Sequence, residues 1–483
     1  MGLTRRSWLL GAGTLLAAAC TPRDARRAAP RAAHARRPIV VIGAGLAGLA
    51  TALELVEAGR DVIVLEAQGR PGGRILTLRE PFADGLHVEA GATHVVRDPD
   101  LLTLLAKVGV HVTQPKRTSG LATIEVRDGI RRRFAPTEEP PSHERLSDEE
   151  RRLGFVGCLE KYFADVKDVD PATPWPAHVL AHHDAQSAAE LLLQRGASQG
   201  YVDAFGFTAE ELSTVSGAFV LREMAGVFRD MALPRDGRIE GGADRLPIAL
   251  AGRLGTRVRY HAVVKRIERG ERGVRVTFLE RGSLQELEAA RVVCAIPYSV
   301  LRSMEVSPPF SPGKAKVIRE LRMVSTVRMF AEINSRIWEV RGESGDAETD
   351  LPVGVVRDET KFQPGKRGVL GAYVSGDRAR RIGPLTEAQR LQLFLDAADA
   401  VHPGAKARYV RGITHSWDED PFARGAHAWF APGEMSAFGP FLAGAEGRVH
   451  FAGDHTSHRP GWMHGALASA KRAAREVLAG TDV

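Results

Sequence analysis

The chain has 483 residues, enough for two domains. Its formal net charge is +7, but residues 1–37 hold eight arginines and one aspartate, so the rest of the chain is neutral overall. The part of the chain after residue 37 has no net positive charge, so it is not expected to bind nucleic acid. Three cysteines are too few for a disulfide framework.

Residues 1–37 predict an export signal followed by a flexible tether. The run from residue 4 to residue 10 contains Arg5 and Arg6 and resembles a twin-arginine signal; the apolar stretch after it is too short to span a membrane permanently. The residues before Cys20 resemble a lipoprotein cleavage box, while cleavage without lipid and a plain basic tail are alternatives. We therefore expect a periplasmic or otherwise extracytoplasmic protein, whose contact with a membrane, if there is one, is a lipid on Cys20.

A strand, a glycine-rich turn and a helix come next, and together they predict a dinucleotide-binding site. Ile39–Ile42 is continuously apolar, as expected for a strand buried on both faces. Three glycines follow in a G-x-G-x-x-G pattern: Gly43, Gly45 and Gly48. The first permits the tight turn, the second lets backbone N–H groups approach a pyrophosphate, and the third lets the helix pack closely. Glu66 ends the next apolar strand, where an acid binds the ribose hydroxyls of an adenosine.

The segment R-P-G-G-R, from Arg70 to Arg74, extends this pattern. It resembles the second motif of flavoproteins with two dinucleotide-binding domains, which hold FAD in an extended form. Because an acid and not an arginine follows the second strand, a cofactor with a 2′-phosphate is not expected there.

The centre of the chain predicts a second domain of helices and strands. Residues 98–235 are predicted to be mostly helical, with a loop at 136–141. Residues 304–442 alternate as strands and predict a mixed sheet, with the stretch 342–350 as a surface loop. The clearest predicted segments are helices at 188–193 and 213–228 and strands at 324–333, 368–374 and 408–417.

The C-terminal segment from Phe451 to Ala474 predicts a strand end, a glycine-containing turn and an amphipathic helix. With the motifs above, it resembles the flavin-containing amine oxidase family, which includes monoamine, polyamine and L-amino acid oxidases. Three internal segments support the same resemblance: Gly241–Pro247, Val263–Ile267 and Arg291–Pro297.

The resemblance covers nearly all of the chain from Pro38 onward and implies an α/β fold with two domains. One is a discontinuous, Rossmann-like FAD-binding domain, and the other is a substrate domain made of helices and a mixed sheet. The implied FAD-binding domain comprises residues 38–97, 236–303 and 443–483, and the implied substrate domain comprises residues 98–235 and 304–442.

The resemblance also implies FAD as the cofactor and assigns its contacts. The implied residues are Gly43, Gly45, Gly48, Glu66, Arg74, Gly91, Ala92, Val264, Gly453, Asp454, Trp462 and Met463. Residues 425–433 and the neighbourhood of Trp462 contain no cysteine, so the thioether of mammalian monoamine oxidases cannot form there and we expect non-covalent FAD. The sixteen histidines are scattered, and no metal is expected.

The implied reaction is oxidation of an amine to an imine, which hydrolyses to a carbonyl compound, with O₂ reduced to H₂O₂. Trp462 stands where the family places an aromatic side chain beside the substrate amine, with a packing role as the alternative. Arg328 stands where many members carry a lysine near the flavin; it keeps the charge but cannot act as a base, and a structural ion pair is the alternative. His427 stands where an aromatic residue is expected and could orient the amine or accept a proton, with a solvated or capping histidine as the alternative.

The substrate class and two other functions stay open at this point. L-amino acid oxidases often carry G-A-M-R where this chain has Gly91-Ala92-Thr93-His94, so the sequence favours a primary or secondary amine over an amino acid. An L-amino acid oxidase is still an alternative, since Arg97 or another arginine could bind a carboxylate. A desaturase or isomerase on the same scaffold is a further alternative, against which Trp462 argues, and a flavin-binding protein without catalysis is another.

Overall fold

The structure is a computed structural model, and it describes residues 37–113, 120–135, 145–172, 175–205, 210–231 and 237–480. The predicted export signal, apart from Arg37, and the loop predicted at 136–141 lie outside the described residues.

The strands, numbered along the chain, are β1 Ile39–Ile42, β2 Val62–Leu65, β3 Thr77–Leu78, β4 Val88–Glu89, β5 Val112–Thr113, β6 Ala122–Arg127, β7 Ile130–Phe134, β8 Arg238–Ile239, β9 Val258–Arg259, β10 Ala262–Arg269, β11 Val274–Glu280, β12 Ser283–Ala289, β13 Arg291–Cys294, β14 Glu305–Ser307, β15 Arg322–Met323, β16 Thr326–Ile333, β17 Glu343–Thr349, β18 Val355–Asp358, β19 Gly368–Ser375, β20 Tyr409–Ser416, β21 Ala428–Trp429 and β22 Val449–Phe451.

The α-helices are α1 Leu46–Glu57, α2 Pro99–Val108, α3 Asp148–Tyr162, α4 Ala177–Asp184, α5 Ala188–Gln194, α6 Gln199–Ala204, α7 Gly217–Met231, α8 Arg245–Leu254, α9 Tyr298–Leu301, α10 Pro312–Glu320, α11 Ile337–Val340, α12 Gly376–Ile382, α13 Glu387–Val401, α14 Glu434–Leu442 and α15 Met463–Ala479.

A five-stranded parallel sheet, in the order β22-β13-β1-β2-β9, carries the glycine-rich turn at its centre. The continuous apolar run in β1 is explained by burial on both faces. Ile39 and Val41 pack into a core with residues of α1 and α15, whereas Val40 and Ile42 pack into a second core with residues of β10 and β11. Because the strands are parallel, the turns that follow β1, β2, β13 and β22 meet along one edge of the sheet.

A second sheet has seven strands in the order β20-β16-β19-β18-β17-β6-β7. Its strands pair antiparallel except for β17 and β6, so the predicted mixed sheet is confirmed. Along β16 the side chains alternate: Val327 and Met329 pack with residues of α13, while Thr326 and Arg328 point to the opposite side. This alternation brings Arg328 to the face that lines the cavity described below.

One sequence prediction about this sheet is wrong. The stretch 342–350 is not a surface loop, since Glu343–Thr349 forms β17 between β18 and β6. The described part of the region 98–235 is mostly helical, as predicted, and β6 and β7 add two strands from it to the edge of the sheet. The apolar helix signals there are confirmed, as Ala188–Gln194 and Gly217–Met231.

Among the described residues, none of the helices is both long and apolar enough to cross a membrane. Cys158 and Cys294 are both buried, and they are not joined by a disulfide.

Candidate active site

A cavity of about 970 Å³ opens at the edge where the strands of the parallel sheet end. Its lining combines the turns after β1, β2 and β13 with parts of α7, the segment that leads into α15, and the inner face of the seven-stranded sheet. A crevice at the carboxyl ends of parallel strands is where α/β folds bind their ligands.

Space constraints explain two of the three glycines in the turn after β1. Gly43 has a φ of 100°, and a Cβ there would lie 2.9 Å from the side chain of Ile296. A Cβ on Gly48 would lie 2.0 Å from the carbonyl oxygen of Gly43, so only glycine lets α1 pack against the turn. Gly45 differs, because the nearest atom to a Cβ there is the Gly72 carbonyl oxygen at 4.0 Å, and Gly45 lines the cavity.

The N-terminus of α1 is suited to bind an anion. Gly45 precedes the helix and no side chain caps it, so the first N–H groups are left for a ligand. Glu66, at the end of β2, accepts hydrogen bonds from the N–H of Ala44 at 2.7 Å and of Gln68 at 2.8 Å. Burial raises the pKa of Glu66, and these bonds oppose that rise. Each carboxylate oxygen keeps a lone pair for a ribose hydroxyl.

Two predicted cofactor residues form an ion pair in the cavity wall. Arg74 Nη2 lies 2.6 Å from Asp454 Oδ1, and Arg74 Nη1 donates to the carbonyl oxygen of Ala426 at 2.7 Å. Asp454 Oδ2 accepts the N–H of Gly461 at 2.8 Å. Burial alone would raise the pKa of Asp454, but Arg74, His455 and the Gly461 bond together lower it. The pair therefore joins three distant chain segments beside the cavity.

His427 and Trp462 face the cavity from neighbouring loops. A Cβ on Gly461 would lie 3.0 Å from His427 Cγ, so glycine is required for the two loops to meet. Burial lowers the pKa of His427, and its Nδ1 lies 3.3 Å from the carbonyl oxygen of Ala428. The ring is therefore neutral near neutral pH, with the proton assigned to Nδ1, which leaves Nε2 as an acceptor.

The seven-stranded sheet contributes a positively charged wall. Arg328 Nη2 donates to Glu359 Oε1 at 3.0 Å, and the Arg328 guanidinium lies 5.1 Å from the centre of the Tyr373 ring. Tyr373 is the cross-strand neighbour of Arg328 and also lines the cavity. Arg328 therefore forms an ion pair, as in the alternative interpretation, and it also faces the cavity; its position beside the flavin stays a prediction.

Further charges surround this wall. Arg238 Nη1 lies 3.7 Å from Glu359 Oε2, so Glu359 is shared between two arginines. Arg357, on β18, also lines the cavity and forms no ion pair with any other described residue. Burial and then Arg238 lower the pKa of His94 to about 4, so His94 is neutral near neutral pH. Two guanidinium groups therefore share one carboxylate and a third lines the same cavity, a local excess of positive charge that favours an anionic ligand group.

The structure brings the predicted site residues together. Those that line the cavity are Gly43, Gly45, Glu66, Arg74, Gly91, Ala92, Val264, Arg328, His427, Gly453, Asp454, Trp462 and Met463. Gly48 stands behind the turn, in the packing role predicted for it. Arg97 does not line the cavity, so it is not the carboxylate contact that the sequence suggested.

Sequence reasoning missed several residues of the cavity. The charged ones are Glu210, Glu223, Arg238, Arg357 and Glu359, and the aromatic ones include Phe219, Tyr373 and Trp417. No local motif marks them, since they come from separate strands, helices and loops. The alternation of side chains along β16 indicates which of its residues share one face of the sheet, but it does not identify the strands that pair with β16.

These features fit FAD. The glycine turn, the uncapped start of α1 and the acid at the end of β2 provide for a pyrophosphate and a ribose. Neither described cysteine lines the cavity. Within the described ranges, no group of three or more His, Cys, Asp or Glu side chains is placed to hold a metal ion.

Comparisons with known proteins agree with this site. Residues 46–478 match the model of the family described as flavin containing amine oxidoreductase. A putative L-amino-acid oxidase, YobN, of Bacillus subtilis (strain 168) is 30% identical over 91% of this chain and 94% of that protein. An L-amino-acid oxidase of Siganus canaliculatus is 28% identical over 91% of this chain and 85% of that protein.

Solved structures have the same fold. Putrescine oxidase with bound putrescine has a TM-score of 0.78 at 23% identity, covering 92% of this chain and 99% of that one. Cyclohexylamine oxidase from Brevibacterium oxydans IH-35A has a TM-score of 0.76 at 22% identity, covering 92% and 98%.

The fold and the site define an FAD-binding oxidoreductase. The chain belongs to the flavin-containing amine oxidoreductase family and is an FAD-dependent amine oxidase.

Proposed function

We propose that the substrate is an α-amino acid, whose carboxylate is bound by the arginines of the seven-stranded sheet. The observation that carries this proposal is the local excess of positive charge around Glu359. Arg328 and Arg357 of the sheet and Arg238 of the neighbouring strand β8 line this part of the cavity, and Glu359 is already shared between Arg238 and Arg328. A guanidinium can bind a carboxylate through two parallel hydrogen bonds. The names of the curated relatives, which are L-amino-acid oxidases, support the same class. The sequence motif at Gly91 favoured an amine without a carboxylate, and the charges of the cavity favour the alternative.

The roles of the chain's own residues follow from their chemistry. When bound, FAD would supply the acceptor for the two electrons of the substrate C–H bond, with O₂ as the final oxidant that is reduced to H₂O₂. The substrate nitrogen must be neutral when its C–H bond is oxidised, so a proton has to leave the ammonium group first. His427 is neutral and has Nε2 as an acceptor, so we assign it this proton. A guanidinium is not expected to act as a base, so Arg328 is assigned to binding and orienting the substrate.

Apolar and aromatic surfaces complete the cavity and exclude water from the reacting atoms. Trp462, Trp417 and Phe219 provide these surfaces. The Trp417 indole N–H donates to the carbonyl oxygen of Ala90 at 2.9 Å, which fixes this ring in the wall. A dry and positioned substrate reacts faster because little reorganisation is needed.

A matched pair of substrates tests the proposal. We expect L-phenylalanine to reduce the flavin under anaerobic conditions far better than 2-phenylethylamine, which lacks only the carboxylate. In Arg357→Gln, kcat/KM for the amino acid should fall by about 10–100-fold, as expected for loss of a hydrogen bond to a charged group. The amine should be affected much less.

The control variant is Arg378→Gln, at an exposed arginine that does not line the cavity. It should leave both substrates unchanged. Equal reduction of the flavin by the amine and the amino acid would refute a carboxylate-binding wall.

The cofactor is proposed to be non-covalent, since neither described cysteine lines the cavity. Acid precipitation should therefore release all of the flavin into the supernatant.

We also propose that residues 1–37 direct export of the folded protein, on the basis of Arg5, Arg6 and the apolar stretch after them. Replacing both arginines by lysine should retain the protein in the cytoplasm. Labelling with a radioactive fatty acid, lost in Cys20→Ser, would identify a lipid anchor.

A further inference from the structure

One face of α7 contacts the segment that carries Trp462. Glu223, Gly226 and Asp230 are spaced three and four residues apart, so they lie along one side of the helix. Asp230 Oδ2 accepts from Arg459 Nη2 at 2.6 Å, and a Cβ on Gly226 would lie 0.8 Å from Arg459 Nη1. The helix therefore packs directly on this arginine, and Glu223 is held on the same side.

Arg459 in turn lies against Trp462. Its guanidinium is 5.2 Å from the centre of the Trp462 ring, and its charge is already paired with Asp230. The Glu223 carboxylate is near this group, but it forms no ion pair within 4.0 Å among the described residues, and its Oε1 is buried without a hydrogen-bond partner. A buried acceptor that lacks a donor is unfavourable, so the site is incomplete as it stands.

Glu223 differs from the other carboxylates of the cavity. Glu359 and Asp454 are paired with arginines, and Glu210 is held by two hydrogen bonds from Arg380. Glu66 is bonded to two backbone N–H groups. Burial raises the pKa of Glu223, and the attraction of Arg459 and a side-chain hydrogen bond with Trp462 oppose the rise. Oε1 is the carboxylate oxygen that has no donor, and a cationic ligand would provide one and favour the charged form of Glu223.

We propose that Glu223 is a binding subsite for a second ammonium or guanidinium group of the substrate, one that stays protonated during the reaction. If the substrate is an α-amino acid, as in the proposed function on which this step rests, the preferred substrate is one with a basic side chain. The group bound by Glu223 is not the nitrogen that is oxidised, because a carboxylate stabilises the protonated amine and would oppose formation of the neutral form. The cavity then has an acidic subsite on α7 and a basic wall on the sheet.

Two pairs of substrates separate the subsite from the carboxylate wall. L-Lysine and L-norleucine differ by the distal amino group, as do 1,5-diaminopentane and pentylamine, and the second pair has no carboxylate. For the wild-type holoenzyme we expect kcat/KM to be higher for L-lysine than for L-norleucine, and higher for 1,5-diaminopentane than for pentylamine, in each pair that is oxidised. In Glu223→Gln this preference should fall by about 10–100-fold, mainly through KM, whereas L-norleucine should change by no more than about 3-fold.

The control is Glu286→Gln, at an exposed acid on β12 that is outside the cavity lining and should change nothing. Flavin content and thermal unfolding of Glu223→Gln verify that the variant folds, and Glu223→Asp should regain part of the preference.

Three outcomes are decisive. A Glu223-dependent preference for the diamine, with neither amino acid oxidised, supports the subsite and refutes the carboxylate wall. A wild-type enzyme without preference in either pair overturns the subsite. So does an equal loss of kcat for all substrates in Glu223→Gln, which would make the residue a support for Trp462.

Discussion

Asp454 and Arg74 carry opposite charges in the cavity wall, and loss of this pair is expected to weaken both folding and flavin binding. In Asp454→Asn, Arg74 keeps its charge although its side chain is only 21% exposed. Breaking a buried pair costs about 3–5 kcal/mol, so the free energy of unfolding should fall by about 3 kcal/mol. Denaturant titration of the apoprotein measures stability, and fluorescence titration with FAD measures affinity.

The exposed pair between Arg79 and Asp244 is the matched control. Arg79 is 41% exposed, so Asp244→Asn should cost less than about 1 kcal/mol and leave FAD affinity unchanged. Equal losses in the two variants would mean that the pair at Asp454 acts as an ordinary surface ion pair.

His455 predicts a loss of stability in mild acid. Burial lowers its pKa to about 3 from a usual value of 6.5, although Asp454 opposes this, and both ring nitrogens are buried without partners. As the pH falls below 6.5, His455 binds a proton in the unfolded chain but not in the native state, so the free energy of unfolding decreases. Between about pH 7 and pH 5 this loss should be about 2 kcal/mol.

To test this, the free energy of unfolding of the wild type and of His455→Phe is measured against pH by denaturant titration with excess FAD, and the two slopes are compared. In His455→Phe the decrease from pH 7 to pH 5 should be smaller by about 2 kcal/mol, whatever the effect of the substitution at pH 7. An unchanged slope would show that other groups cause the acid sensitivity.

Two glycines of one turn should respond differently to the same change. Gly48→Ala places a Cβ 2.0 Å from a carbonyl oxygen, so α1 must move, and we expect a loss of about 1–3 kcal/mol in stability. Gly45→Ala has room within the fold and should cost less than about 1 kcal/mol, but its methyl group enters the cavity at the pyrophosphate position. FAD affinity should then fall by about 10-fold or more, the equivalent of overpacking a well-fitted contact.

Measured together, apoprotein stability and FAD dissociation constants separate the two glycines. A Gly45→Ala variant that unfolds as easily as Gly48→Ala would show that both glycines serve packing only.

Elements whose structure is determined locally could be predicted from the sequence. The strand, turn and helix from Ile39 to Glu57 have their periodicity, glycines and length in one continuous stretch. The strand Glu343–Thr349 could not be predicted, because its sequence is polar and its pairing partners β6 and β18 stabilise it from elsewhere. Strand formation depends on neighbours as much as on the residues themselves.

Residues that distant parts of the chain bring together are also difficult to predict at the site. Glycines and acids near the flavin motifs are recognisable because the motif fixes their spacing. Arg357 and Glu223 belong to no such motif, and the three-dimensional fold brings them to one cavity. The sequence therefore indicated the cofactor and the reaction but not the charged residues that we propose to select the substrate.

At the scale of the whole molecule, the C-terminal strand and helix are required to complete both the parallel sheet and the cavity. β22 pairs with β13, and α15 packs with α1 in one core. A chain that ends at residue 448 should therefore lose FAD binding and expose apolar surface, which dye fluorescence and absorption spectroscopy measure. A chain that ends at residue 480 keeps α15 and is the control; loss of flavin in both chains would contradict this explanation.

The position of Gly453, Asp454 and Met463 in the cavity wall also sets the timing of cofactor loading. These residues come after most of the other cavity-lining residues along the chain, so the chain must be synthesised through α15 before the complete cavity can capture FAD. If residues 1–37 direct export, the order is synthesis, folding, loading and only then passage through the membrane. A secretion pathway that threads an unfolded chain would deliver this protein without its flavin, into a compartment that has to supply one.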